Sequence, residues 1–299
     1  MLHTRRKLLR GGGALAATKL FAPSIIKPAS AGFVLGKAGG GGGGGYVAKA
    51  VHFDGLTSLQ IPAVVAPASS ATIISSHWQK IAPENWRVGD VEDVPAVWVV
   101  DPLGQYEPQF SFSTVDPGAQ PQIDFNAGDP TAGPFYDLTS SILPVPGVGV
   151  YQHFLCAAKV DFASGSKLGK VYLNDTDITN VNSDTFGSFL IQMNGFLFCI
   201  GNDAGFDTPL IGALCDLRVA LNYDPFVDGD LPVAFRRLFI DASGKPVDPA
   251  VATAALGGPG IVLCSGDASP TGFSRNQGIG GTIIVTAGGL TNATTSPSD

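Results

Sequence analysis

The sequence predicts an all-β protein, an antiparallel sandwich of jelly-roll type. Three observations carry that expectation. Charged residues make up only 14% of the 299 residues, while Gly and Pro number 39 and 22, a composition of strands and turns rather than helices. The 25 acids include only three Glu (Glu84, Glu92, Glu107), so nearly all are Asp, which favours turns and caps over helix interiors. Apolar residues recur as runs or alternations of 5–10 residues separated by Gly, Pro, Asn and Asp, with no βαβ rhythm.

The chain opens differently from its body. Residues 1–31 hold six basic residues and no acid, leaving 12 basic against 25 acidic residues, or −13, for the rest. Such a body offers no electrostatic footprint for nucleic acid or an anionic membrane. Thr4-Arg5-Arg6-Lys7-Leu8-Leu9-Arg10 resembles the twin-arginine export motif. A weakly apolar stretch and the small-residue site Ala29-Ser30-Ala31 follow, so residues 1–31 are expected to be a signal peptide and the protein exported, periplasmic or extracellular. Residues 32–46, with seven consecutive glycines, are expected to be a flexible linker. No apolar stretch reaches the length of a membrane span.

The body is expected to be a sandwich over residues 47–226. Residues 47–62 alternate, with Val51 and Phe53 on one face and His52 on the other, turn at Asp54-Gly55, and resume with Leu59 and Ile61. Strands are expected at 70–80, 95–102 and 108–115, with a short one at 123–125. Further strands are expected at 150–162, 170–173 and 211–222, and two runs at 188–200 broken at Asn194-Gly195. Residues 227–299 form a strand- and turn-rich extension with short helices near 233–239 and 249–256. The cysteines, Cys156, Cys199, Cys215 and Cys264, all sit in apolar runs without a CxxC pair and read as core thiols. If an oxidising compartment forms one disulfide, Cys199–Cys215 is the expected pair.

Four segments, in order, resemble the laminin-G-like branch of the concanavalin A-like superfamily. They are AVHFDG (50–55) with SLQIP (58–62), the Trp78 strand, YQHF (151–154) leading to KVYLN (170–174), and FCIG (198–201) leading to LIGALCDLRV (210–219). The resemblance implies a two-sheet sandwich with first and last strands adjacent, a binding role toward glycan or another surface ligand, and a possible calcium site at the rim. The fold also hosts β-glucanases, but their Glu-x-Asp-x-Glu strand is absent and no pair of acids is singled out by spacing. No G-x-S-x-G elbow accompanies His52, His77 or His153.

The leading expectation is a noncatalytic carbohydrate-binding module for surface recognition or adhesion. The alternatives are a virion or cell-surface structural component making protein contacts, and a glycan-active hydrolase. Trp86, flanked by Asn85 and Arg87 in a polar loop, reads as a sugar-stacking platform, with Trp78 as a second aromatic candidate. Asp54, Asn202, Asp203, Asp207 and Asp216 are the oxygen donors that Ca2+ would use. Plain turn chemistry explains the same residues.

Overall fold

The computed structural model describes residues 46–68, 70–81, 96–101, 110–115, 122–129, 133–137, 149–161, 166–179, 191, 193–202, 209–265 and 269–299. The expected signal peptide, residues 32–45 of the expected linker, Asn85-Trp86-Arg87, Asp203 and Asp207 lie outside them; Tyr46, given to the linker, is described and bonded to Asp216 in the body. In chain order the elements are β1 (Val51–Asp54), β2 (Ser58–Ile61), β3 (Thr72–Ile81), β4 (Ala96–Asp101), β5 (Phe110–Val115), β6 (Gln122–Asp129) and β7 (Gly133–Asp137). Next come β8 (Gln152–Asp161), β9 (Ser166–Leu173), β10 (Thr176–Asp177), β11 (Leu197–Ile200) and β12 (Ile211–Leu221). The remainder is α1 (Val233–Arg236), α2 (Pro249–Ala255), β13 (Val262–Cys264), α3 (Pro270–Phe273), β14 (Ile284–Ala287) and β15 (Thr291–Asn292).

Among the described residues two antiparallel sheets form. The first runs β10-β9-β8-β3-β12-β1-β15, with β13 added to β12; the second runs β14-β2-β11-β4-β5-β6-β7. Strand alternation puts one face of each sheet into a shared core. Phe53, Ile73, Phe154, Val171, Leu214, Leu217 and Val219 of the first sheet meet Leu59, Ile61, Phe198 and Ile200 of the second. First and last sandwich strands are adjacent, with Val51 opposite Leu214 and Asp54 opposite Ile211.

The outer face of the first sheet is also covered. Ile74, Leu155, Ala157, Tyr172 and Ala220 pack beneath Leu231, Phe235, Leu238, Phe239 and Ala252 of the C-terminal segment. That is why β12 reads IGALCDLRVAL, nearly apolar throughout: all but its two end residues are buried. Residues 227–299 are therefore built into the fold. Besides α1 and α2, they contribute β13, β14 and β15 to the two sheets, and Phe273 of α3 packs edge-on against Phe53 at 6.2 Å.

Some expected elements differ. Of the two runs at 188–200 the second is β11; the first lies mostly outside the described residues, and its Ile191 makes an isolated bridge to Ser70. Strand β7, at Gly133–Asp137, stands in a stretch that reads as loop because its Gly and Pro hide any alternation. All four cysteines are buried and none is in a disulfide. Cys199 and Cys215 cannot be the expected pair: they belong to different sheets, and Cys215 lies in the outer cluster with Trp78 and Ile240.

Candidate functional site

Asp216, the acid inside the apolar run, sits in a β-bulge. The register of β12 against β3 shifts between Cys215 and Arg218, and Asp216 takes φ 51°, a left-handed conformation that Asp tolerates better than most residues. The bulge also marks where the other edge of β12 changes partner. Residues up to Leu214 pair with β1, and residues from Leu217 onward pair with β13. Asp216 stitches the gap: its Oδ1 accepts from Tyr46 Oη at 2.8 Å and from Ser265 Oγ at 3.1 Å. Burial pushes the carboxyl up to about 6, opposed by hydrogen bonds from Tyr46, Cys215 and Ser265.

Two residues on, Arg218 is 2% exposed. Its guanidinium donates to Gly258 O (3.2 Å), Pro249 O (2.8 Å) and Thr253 Oγ1 (2.6 Å), tying α2 to the sheet. Burial lowers its pKa to about 10, against the opposing pull of Asp216. Asp216 and Arg218 line a cavity of about 20 Å³ with Ser76 and Trp78, the size of a single water site rather than a ligand site.

Ser76 Oγ and His153 Nε2 are 2.9 Å apart, the contact a nucleophile and base would make. Further features oppose catalysis there. Ser76 and His153 are 3% and 1% exposed, beneath the C-terminal segment. His153 Nδ1 has no hydrogen-bond partner among the described residues, so no carboxylate orients the ring as a triad requires. Desolvation drives His153 down to about 3. His77 falls to about 3 as well, by desolvation and then by the field of His153.

Of the expected sugar-stacking residues, Trp78 is described, and it is not a surface platform. It is 4% exposed, 5.0 Å from His153 and enclosed by Ala213, Cys215 and Ile240. Of the expected calcium donors, the described ones, Asp54, Asn202 and Asp216, do not assemble as one set. Asp54 Oδ1 already accepts from Leu56 N (2.9 Å), Thr57 N (3.0 Å) and Thr57 Oγ1 (3.0 Å), which is turn chemistry. Asn202 is buried on the same side of the fold, where Gly201 accepts from Leu210 and Leu210 accepts from Gly55. Asp216 is separated from them: Asp54 pairs with Ile211, so Asp216 is five positions further along the strand, roughly 16 Å away. Among the described residues no three His, Cys, Asp or Glu side chains cluster as metal ligands.

An open groove of about 430 Å³ lies on the C-terminal segment, lined by Thr271, Ser274, Arg275, Ile279, Thr282 and neighbouring backbone. Its construction starts at Ser269, whose side chain caps α3 by accepting from Gly272 N at 3.0 Å. Asn276 then fixes the loop with all four of its hydrogen-bonding positions. Oδ1 accepts from Leu263 N (3.0 Å) and Gly278 N (2.8 Å), and Nδ2 donates to Ile261 O (3.0 Å) and Gly281 O (2.9 Å). The loop lies so flat on β13 that a Cβ at Gly278 or Gly280 would meet Ile261 O at 2.5 or 2.4 Å. These glycines are needed for close approach. The walls leave Thr271, Arg275 and Thr282 exposed beside Ile279, which is 62% exposed. Sequence reading missed this groove. Its visible traces are the Ser-Pro helix start and the Asn-x-Gly-x-Gly-Gly spacing from Asn276 to Gly281.

No family profile and no curated protein matches the sequence. Solved structures do match. A candidate carbohydrate-binding protein from Bacteroides ovatus is similar at 15% identity and a TM-score of 0.44, covering 84% of this chain and 61% of that one. Domains LG4-5 of the mouse laminin α1 chain match at 10% identity and 0.39, covering 58% and 42%. The enzymatically active domain of tailspike protein 2 from bacteriophage CBA120 matches at 13% and 0.38, covering 64% and 27%. The chain thus spans less than two thirds of each of these structures, and at these identities the likeness is one of fold.

Proposed function

We propose that this antiparallel β-sandwich is a noncatalytic module that binds carbohydrate at a surface, through the groove on its C-terminal segment. One observation carries the reading. The groove's frame is held by an Asn276 with no hydrogen-bonding capacity left over, while hydroxyls, a guanidinium and an apolar side chain line it. A rigid wall with convergent polar groups beside an apolar patch suits a sugar, which offers hydroxyls on its rim and C–H bonds on its face. The noncatalytic half of the proposal is supported by the fate of Ser76 and His153, which are buried under the tail. The carbohydrate-binding description of the Bacteroides ovatus protein agrees with the proposal.

A glycan array probed with the purified chain tests this. Binding to a defined glycan set, with no hydrolysis product on prolonged incubation, is the expected result. Absence of binding in both calcium and chelator would remove the proposal. Binding only in calcium would return the loop at 201–208, with Asp54, to the site.

The second reading, a surface or virion component making protein contacts, draws on edge strand β14, where Ile284 and Val285 are 46% and 50% exposed. Light scattering across concentrations separates the two, since assembly predicts a mass that rises with concentration. Export is proposed from the Thr4–Arg10 motif; the mass of the secreted protein, cut after Ala31, is the expected readout.

A further inference from the structure

We infer that the groove selects a sugar carrying an anionic substituent, a carboxylate or a sulfate, with Arg275 as its anchor; the inference rests on the carbohydrate reading above. The body of this protein is acidic, 12 basic against 25 acidic residues, yet among the described residues lining the groove the one charged side chain is Arg275. No ion pair among the described residues engages that guanidinium. The other Arg side chains of the described residues are occupied: Arg218 on α2, and Arg236 and Arg237 on Asp175. An exposed guanidinium set in a concave wall, where the other described Arg side chains serve the structure, presents a planar donor fork. That fork matches the two oxygens of a carboxylate, or two of a sulfate.

The remaining lining sorts the ligand further. Ser274 Oγ donates to Thr271 O at 3.2 Å, so its oxygen is left to accept from a sugar hydroxyl. The Thr271 and Thr282 side chains, both exposed, add donors and acceptors. Asn276 contributes no contact because its amide is saturated. Ile279, 62% exposed, offers an aliphatic surface for the C–H face of a ring. Among the described residues no aromatic side chain lines the groove, which disfavours nucleobases, whose recognition relies on stacking. Arg275 thus supplies selectivity for charge, and the hydroxyls with Ile279 supply selectivity for a ring.

Calorimetry on the full chain tests the inference with four probes: trigalacturonic acid, neutral galactotriose, galactose 6-sulfate and inorganic sulfate. The wild type is expected to bind one or both acidic sugars at least about tenfold more tightly than galactotriose, and inorganic sulfate more weakly than either. Arg275→Gln should lose about tenfold or more of that affinity, Arg275→Lys less, and Ile279→Ser about threefold, all with unchanged melting temperature. Preference for galacturonate or for galactose 6-sulfate tells carboxylate from sulfate. Equal affinity for the neutral trisaccharide overturns the anion selectivity, and equal affinity for inorganic sulfate overturns the sugar. If the protein binds a glycan on the array but Arg275→Gln binds as the wild type does, the groove is overturned while the carbohydrate reading stands. Absence of any glycan binding removes both.

Discussion

At the scale of single residues, Asp216 and Asn276 are short polar side chains that serve the structure in opposite electrostatic ways. Asp216 is held in a buried bulge with its pKa raised from 3.8 to about 6. A carboxyl whose folded pKa exceeds its unfolded value contributes stability at acid pH, and that contribution is lost as pH rises between the two values. A shift of this size corresponds to about 3 kcal/mol. Asp216→Asn should therefore gain on the wild type by up to about 3 kcal/mol between pH 4 and pH 7, read as the difference in urea midpoints across that range. Asn276 is neutral and fully bonded. Asn276→Ala should cost about 2–4 kcal/mol, because four side-chain-to-backbone hydrogen bonds are lost at once, Ile261 O keeping that from Gly280 N, and should abolish ligand binding at the groove. Asp216 was visible in the sequence as an acid out of place. Its role was not, because it depends on Tyr46 and Ser265, which are 170 and 49 positions away.

At the scale of elements, the C-terminal helices lie on the first sheet as a third layer. Phe235 of α1 is 4% exposed and Phe239 just beyond it 7%, and the two rings meet edge-on at 5.5 Å. Phe235→Ala should destabilise the fold by about 3–5 kcal/mol, seen as a lower melting temperature. Hydrogen exchange should speed up in β3 and β8 more than in β11. The alternation of Val51, His52 and Phe53 made β1 legible, and Ile73-Ile74 and the unbroken run of β12 were visible too. What the runs lacked was a reason to be apolar on both faces. That reason is the layer formed by residues whose own helices are only four to seven residues long. Short helices carry little periodic signal, and α3, four residues long, escaped notice altogether.

At the scale of the whole molecule, burial of titratable groups sets the response to acid. His77 and His153 fall to about 3 in the folded protein. A base with a depressed folded pKa is fully stabilising above its unfolded value near 6.5, and that stability is lost as pH falls toward the folded value. Each histidine contributes about 1.4 kcal/mol per pH unit in that window. Two histidines outweigh the single opposing Asp216, so the protein should unfold more readily at pH 4 than at pH 7. His153→Gln should reduce the slope in thermal melts across that range. All four thiols are buried and should resist a thiol reagent until the protein is denatured, when all four react together.

The pairing of the body's first and last strands has a consequence for biosynthesis. Val51 faces Asn292 across the β1–β15 ladder, and Ala48 N donates to Ser298 Oγ. A nascent chain on the ribosome holds its early strands out of the tunnel long before their partners are translated. The sandwich therefore closes only after residues 291–298 have emerged, slowly, because its decisive contacts span nearly the full length of the body. Until then its unpaired borders need shielding from other nascent chains.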